Sequence, residues 1–287
     1  MSFTTIPLHP LFGARVTGRD LSEPLGAAEA AGVLDLLAEH GVLLFPGQEL
    51  TPAEEVAFAA AINEVRRPHG NEYVVEGFPD VAILSNVIAD GRQIGFQNKF
   101  GIEWHADGSG WQRDTLATCL YCVETPREGG DTLFASGYAG YEALPDDLRR
   151  RAEEAILIYD RAFLIEKLRV ASGDERKLSD EERASYPPVR RPLVVRHPRN
   201  GRPAINMTIE ECREVVGMDG AESRAFLEEI ERHVTAEALV YTHRWTPADL
   251  MVWDNRCMLH STTPYTYADE RRLMHRVIGL VPEHAAV

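Results

Sequence analysis

Apolar residues recur at helical spacing over positions 27 to 40, where Leu34, Leu36 and Leu37 lie in an alanine-rich run ending at Gly41. The pattern predicts an amphipathic helix followed by a strand over 42 to 45. A second helix is predicted over 52 to 63, with Thr51 as N-cap, Pro52 at the first helical position and Glu54 at the third. Positions 81 to 87 are rich in strand-forming residues and Asp90-Gly91 marks a turn. The glycine-punctuated polar stretch from there to Gly101 reads as a mobile loop. Further strands are predicted over 103 to 107, 116 to 124 and 131 to 135, with a turn over 126 to 130 and helix over 139 to 155. Positions 161 to 192, rich in Arg, Lys and Glu and holding Pro187-Pro188, have no sustained strand pattern and read as an inserted excursion with a solvated surface. A hairpin turning at Asn200-Gly201 follows, then a helix over 221 to 235 with Phe226, Leu227 and Ile230 on one face. Short strand-like runs close the chain at 238 to 243, 250 to 253, around His260 and at 273 to 280. No internal repeat is visible. Strands at both ends enclosing helices predict a β-rich α+β fold.

Charge and cysteine content narrow the class. A chain of 287 residues, 44% hydrophobic, can bury a sizeable core. The net charge of −15 argues against nucleic acid as a partner and means that an anionic ligand needs a local positive site working against the global field. Cys119 and Cys122 have the spacing of a metal or redox pair. They lie in an apolar run that reads as a buried strand, where an odd offset sends them to opposite faces. No secretory signal and no apolar run of membrane length is seen, so no membrane contact and a cytoplasmic location are expected.

The candidate chemistry lies in His105-x-Asp107 and a distant His260. Two histidines and one carboxylate are the ligand set that holds Fe(II) on one face and leaves three positions open for other ligands. On a strand over 103 to 107, His105 and Asp107 would project from the same face, and His260 must come from a strand that the fold returns beside them. Because the ligands are drawn from both halves, residues 1 to 287 are expected to form a single domain, with an insertion at about 160 to 235.

Around these residues stand Trp104 before the first ligand, Gly129-Gly130-Asp131-Thr132, Trp253-Asp254-Asn255-Arg256, and Arg272-x-x-x-Arg276. In these motifs, in their order, and in the stretches 7 to 14 and 41 to 48, the chain resembles the taurine dioxygenase and 2,4-dichlorophenoxyacetate dioxygenase family of Fe(II)/2-oxoglutarate oxygenases. The resemblance spans essentially the whole chain. It implies a double-stranded β-helix (jelly roll) core buttressed by helices. It also implies His105, Asp107 and His260 as iron ligands, Thr132 and Arg272 as the 2-oxoglutarate pair, and Arg276 as the grip on an anionic primary substrate. On a strand, Arg272, Met274 and Arg276 share a face, His275 turns away and Arg271 faces solvent. Trp253 and Asp254 are expected to pack and orient rather than react.

His69 and Tyr73 loosely match a histidine and a tyrosine that contact substrate in the family, with the spacing off by one. Gly101 stands where family members often carry asparagine, and Asp107-Gly108-Ser109-Gly110-Trp111 replaces bulkier residues after the ligand. The implied reaction consumes O2 and 2-oxoglutarate, releases succinate and CO2, and hydroxylates an aliphatic C–H of a small anionic substrate. The carboxylate ligand argues against halogenation. The same cofactor chemistry could instead lead to desaturation, cyclisation, epimerisation or isonitrile formation. A non-catalytic binding module would be expected to have lost a ligand or Arg272, and a zinc hydrolase would have no use for Thr132 and Arg272. By analogy with relatives, a homo-oligomer, dimer or tetramer, is expected.

Overall fold

The computed structural model describes residues 3–68, 73–96, 102–171, 173–265 and 270–282. Its first elements are β1 (Thr4–Pro7), β2 (Ala14–Thr17), α1 (Ala27–His40) and β3 (Val42–Phe45). Helix α1 ends where Gly41 takes φ +76° and its N–H bonds to Leu37 O. A Cβ at Gly41 would overlap the Met258 sulfur, so glycine is needed there for space as well as for backbone conformation. Helix α2 (Pro52–Ile62) starts with the capping box foreseen: Thr51 Oγ1 accepts from Glu54 N, and Glu54 Oε2 accepts from Thr51 N at 2.7 Å.

Next come β4 (Glu64–Arg66), β5 (Val74–Val75), β6 (Phe78–Ser85) and a tight hairpin of β7 (Ile88–Ala89) and β8 (Arg92–Gln93). That hairpin replaces the irregular loop expected after residue 87. Asp90 and Gly91 both take positive φ, as a two-residue hairpin turn requires, and the remainder of the expected loop, 97–101, lies outside the described residues. Strands β9 (Ile102–His105), β10 (Thr115–Glu124) and β11 (Thr132–Ser136) follow. Helices α3 (Gly137–Ala143) and α4 (Asp146–Glu154) divide the expected helix at Leu144-Pro145. Strand β12 (Ile156–Tyr159) leads into 161 to 192, the stretch in which no sustained strand pattern was expected. It holds α5 (Arg161–Ala171), α6 (Asp180–Ala184) and β13 (Val189–Pro192), and β13 pairs with β12. The hairpin β14 (Val194–Arg196) with β15 (Pro203–Ile205) turns at Asn200-Gly201. Then come β16 (Cys212–Val215), α7 (Gly220–Val234), β17 (Val240–His243), β18 (Leu250–Asp254), β19 (Met258–Thr262) and β20 (Leu273–Leu280).

Two sheets make the core. The larger, of nine strands, runs β1-β2-β3-β18-β10-β20-β6-β5, with β4 also paired to β20; the smaller runs β17-β11-β19-β9. Alternation along the large sheet decides which side chains face which layer. Leu43, Phe45, Cys119, Tyr121, Val252 and Val277 pack outward with α1 and α2, whereas Leu44, Cys122, Met251, Trp253 and Met274 join Phe134 of the small sheet between the layers. Cys119 and Cys122 thus lie on opposite faces, buried and unbridged. A third cluster packs Ala135 and Leu259 of the small sheet against α4, α7 and β12. This is a jelly-roll core of two facing sheets with helices on the outside. Among the described residues, no helix is long and apolar enough to cross a membrane.

Candidate metal centre

His105 ends β9, and His260 of β19 is its cross-strand partner, so the register alone sets the two imidazoles side by side, with ring centroids 4.0 Å apart. Asp107 does not continue that strand. Ala106 N donates to Thr208 Oγ1 at 3.1 Å and Asp107 N to Asn255 Oδ1 at 3.2 Å, not to a neighbouring strand. The chain turns at Gly108, whose φ is +76°. The turn still delivers the carboxylate: Oδ1 lies 3.9 Å from His105 Nε2 and Oδ2 lies 3.9 Å from His260 Nε2. The three ligand atoms lie within 4.8 Å of one another. With metal–ligand bonds of about 2.1 Å, two ligands of one ion lie at most about 4.2 Å apart, and both 3.9 Å carboxylate–imidazole separations are inside that limit.

The protonation states suit a cation. Burial pushes His260 down to about 3, and the neighbouring His105 adds to the effect, so the imidazole is neutral with a lone pair to give. Burial alone would raise the Asp107 carboxyl, but His260, Arg276, His105 and the Thr118 hydroxyl together hold it at about 2, so it is ionised. His105 Nδ1 lies 2.8 Å from Glu103 O. A carbonyl can only accept, so Nδ1 carries the proton and Nε2 is left as the ligating atom. His260 Nδ1 is buried without a hydrogen-bond partner. Phe134 and Trp253 wall the His260 ring, with centroids 6.4 and 4.6 Å away.

Strand β20 and the residue just before it supply two arginines from the facing sheet. Arg276 Nη1 lies 3.7 Å from Asp107 Oδ1, which puts the guanidinium at the edge of the ligand cluster. Arg272 precedes the strand and is buried, with its Nε donating to Gly130 O at 3.2 Å and its N–H to Asn86 Oδ1 at 2.8 Å. Gly129 and Gly130 have positive φ; a Cβ on the first would overlap Pro264 O and one on the second would crowd the Arg272 side chain. Thr132 is buried and accepts from Trp245 Nε1 at 3.0 Å, which leaves its own hydroxyl proton to donate elsewhere. On the other face of β20, His275 bonds to the buried Glu55 at 2.8 Å, while Arg271 pairs with Glu124 at the surface. Of the two loosely matched residues, His69 lies outside the described residues. Tyr73 precedes β5, where its carbonyl accepts from Ile83 N; the register sets Val74 in line with Ala82 and Arg276.

Several residues at the site were not picked out from sequence. Thr118, on β10, donates to Asp107 Oδ2 at 2.7 Å and accepts from Asn255 Nδ2 at 3.0 Å. Asn255 Oδ1 in turn accepts from Asp107 N and from Trp253 Nε1. The Thr115 hydroxyl holds the Asp107 carbonyl at 2.6 Å. Thr118 and Asn255 each both donate and accept in this network, which fixes the carboxylate through its Oδ2. A second cluster, His197, Asp254 and Cys257, also has metal-ligand residue types. There, however, the Asp254 carboxylate is taken by the Arg256 fork at 2.6 and 2.9 Å and by His197 Nε2 at 3.0 Å, and burial pushes the Cys257 thiol well up. It is a buried ion-pair knot that braces the strand end.

Comparison with known proteins agrees with the geometry. The taurine catabolism dioxygenase TauD, TfdA family matches residues 4–278. The alpha-ketoglutarate-dependent 2,4-dichlorophenoxyacetate dioxygenase of Cupriavidus pinatubonensis (strain JMP 134) is 35% identical over 95% of this chain and 96% of its own length. The (S)-phenoxypropionate/alpha-ketoglutarate-dioxygenase of Sphingobium herbicidovorans is 32% identical over 97% and 96%. A crystal structure of AAD-2 in complex with Mn(II) and N-oxalylglycine, 25% identical, superposes with a TM-score of 0.79 over 99% of both chains. The chain belongs to the TauD, TfdA family and is an alpha-ketoglutarate-dependent dioxygenase.

Proposed function

We propose that the protein uses Fe(II), 2-oxoglutarate and O2 to hydroxylate an aliphatic C–H bond of a small anionic organic substrate, releasing succinate and CO2. The observation that carries the reading is the convergence of His105, Asp107 and His260 between two sheets, with Arg276 facing them and Arg272 and Thr132 on the flank. Two neutral nitrogens and one carboxylate, with no thiolate, favour a redox-active divalent ion in an open site over a closed zinc site. Iron with its cosubstrate supplies a two-electron oxidation of the C–H bond, for which O2 and 2-oxoglutarate are the stoichiometric reagents.

The protein's part is positioning. Glu103 O fixes the His105 tautomer, and Thr118 and Asn255 hold the Asp107 carboxylate in one orientation. Arg272, anchored through Nε on Gly130 O, would present its guanidinium to the far carboxylate of 2-oxoglutarate. The Thr132 hydroxyl, held by Trp245, would donate to the same group. Arg276 attracts the anionic group of the substrate, while Phe134 and Trp253 keep water from the buried side. The relatives named for 2,4-dichlorophenoxyacetate and phenoxypropionate act on small carboxylates, which favours a carboxylate here.

The test is to supply the protein with Fe(II), 2-oxoglutarate, O2 and a panel of small carboxylates, sulfonates and phosphonates. One compound should be oxidised in step with succinate formation, and D107A and H260A should each lose about a thousandfold or more of that turnover. Coupled turnover that survives in both variants would refute the assignment.

A further inference from the structure

Arg66 and Arg161 bring two more cations to the side of the site where Arg276 stands. Strand β20 is bordered on one side by β10, and on the other first by β6 and then by β4. Arg276 faces Ala82 across that edge, and two residues on Ile278 faces Arg66. Residues two apart on a strand share a face, and so do directly paired residues, so Arg66 lies diagonally beside Arg276 on the face that carries the site. Its guanidinium carbon lies 3.7 Å from the centroid of the Trp111 ring, in the turn that follows Asp107. Trp111 in turn lines a small cavity with Arg161, at the start of α5, and Glu211.

The charges here are arranged unlike those of the neighbouring groove. A groove of about 980 Å³ behind the Asp107 turn is also rich in arginine, but there Arg113, Arg191, Arg199 and Arg256 each have a carboxylate partner, Glu64, Asp114, Asp35 and Asp254, and the remaining arginine, Arg196, is exposed to solvent. Among the described residues, neither Arg66 nor Arg161 has a carboxylate within 4 Å. Burial, then repulsion by Arg161 and Arg276, makes Arg66 harder to protonate than a free arginine. Such repulsion is unfavourable in the free protein and is relieved by an anion. Around the ligand cluster stand Arg66, Arg161, Arg272 and Arg276 against Asp107 and Glu211. With a divalent ion and the doubly charged cosubstrate in place, two positive charges remain.

We propose that the primary substrate is a dianion, with one anionic group held by Arg276 beside the metal and the second by Arg66 and Arg161. The Trp111 ring fixes Arg66 in place. A dicarboxylate, or a carboxylate with a second anionic group at its far end, fits the two separate positions. This inference rests on the site assignment given above, and it makes Arg66 and Arg161 the residues that select among anions.

The experiment uses the full chain loaded with Mn(II) and a saturating excess of N-oxalylglycine, an inert cosubstrate analogue that blocks the 2-oxoglutarate position. Matched pairs differing by one anionic group, hexanoate against adipate and phenoxyacetate against 4-carboxyphenoxyacetate, are titrated by calorimetry. At least one dianion should bind about tenfold or more tighter than its monoanion. R66Q and R161Q should each reduce that ratio severalfold, while N-oxalylglycine affinity stays as in the unmodified chain. Arg161 is exposed, so R161Q remains a test if R66Q does not fold. If no dianion is favoured, or if both variants weaken the two members of a pair alike, the dianion proposal is overturned. If N-oxalylglycine itself fails to bind in the presence of Mn(II), it is the site assignment that falls.

Discussion

At the scale of single residues, the Asp107 carboxylate is held by atoms from two other segments of the chain. The Thr118 hydroxyl bonds to its Oδ2, and Asn255 bonds to both Thr118 and the Asp107 backbone. T118V keeps the side-chain volume and removes the hydroxyl. Mn(II) affinity, measured by calorimetry with saturating N-oxalylglycine, is expected to fall about tenfold to a hundredfold with little change in secondary structure. Unchanged affinity would show that the hydroxyl plays no part in orienting the ligand. His105, Asp107, His260, Thr132, Arg272 and Arg276 could be picked out in the sequence because their types and spacings form motifs. Thr118 and Trp245 could not: a threonine in a buried strand and a tryptophan in a loop are ordinary residues until the fold puts Asp107 and Thr132 beside them. Asn255 belongs to the Trp253–Arg256 motif, yet Asp107 and Thr118, the partners that tie it to the site, lie more than a hundred positions upstream. Arg66 and Arg161 belong to no motif at all.

At the scale of elements, local chemistry made most boundaries legible. The Thr51 to Glu54 capping box, the glycine stop at Gly41 and the Asn200-Gly201 turn each act within a few residues, so sequence alone reveals them. Helix α5 was hidden because its apolar residues do not form one face: Phe163, Leu168 and Val170 are all exposed. The end of β9 was misplaced because side chains of Thr208 and Asn255, distant in sequence, take the amide protons that would have continued a ladder. Helix α3 begins at Gly137, where an added Cβ would overlap Ile205 O and approach Cys257 O at 3.0 Å. Backbone atoms cannot rotate away, so G137A should lower Tm by about 5–10 °C in a thermal melt; a shift under 1 °C would contradict this packing. On α7, burial, helped by Glu103 and Glu228, raises the half-buried Glu231 to about 7. The folded chain therefore holds this proton more tightly than the unfolded one, and the group's contribution to stability declines as pH rises from about 4.5 to 7. E231Q should melt about 1–2 °C above the unmodified chain at pH 8 and level with it near pH 5. An equal gap at both pH values would remove the charge as the cause.

At the scale of the whole molecule, the site exists because two sheets face each other. The small sheet and the turn after it carry His105, Asp107 and His260, and the large sheet carries Arg276, with Arg272 just ahead of β20. The β-rich class followed from the order of strand-like and helix-like runs. The pairing of β9 with β19, far apart in the chain, followed only from the requirement that one metal unite His105 and His260. In a chain of net charge −15, gathering arginines at one point of the interior makes that point the place where an anion is drawn in. The proposed function has His105, Asp107 and His260 hold iron where Arg272 presents 2-oxoglutarate to it. It is tested most directly by adding Fe(II) and then 2-oxoglutarate to the protein without oxygen and recording the visible spectrum. A weak metal-to-ligand charge-transfer band should appear in the unmodified chain, need about tenfold or more 2-oxoglutarate in R272Q, and be absent in D107A. Iron bound with no band at saturating 2-oxoglutarate, or a band that forms equally well in R272Q, would contradict the account.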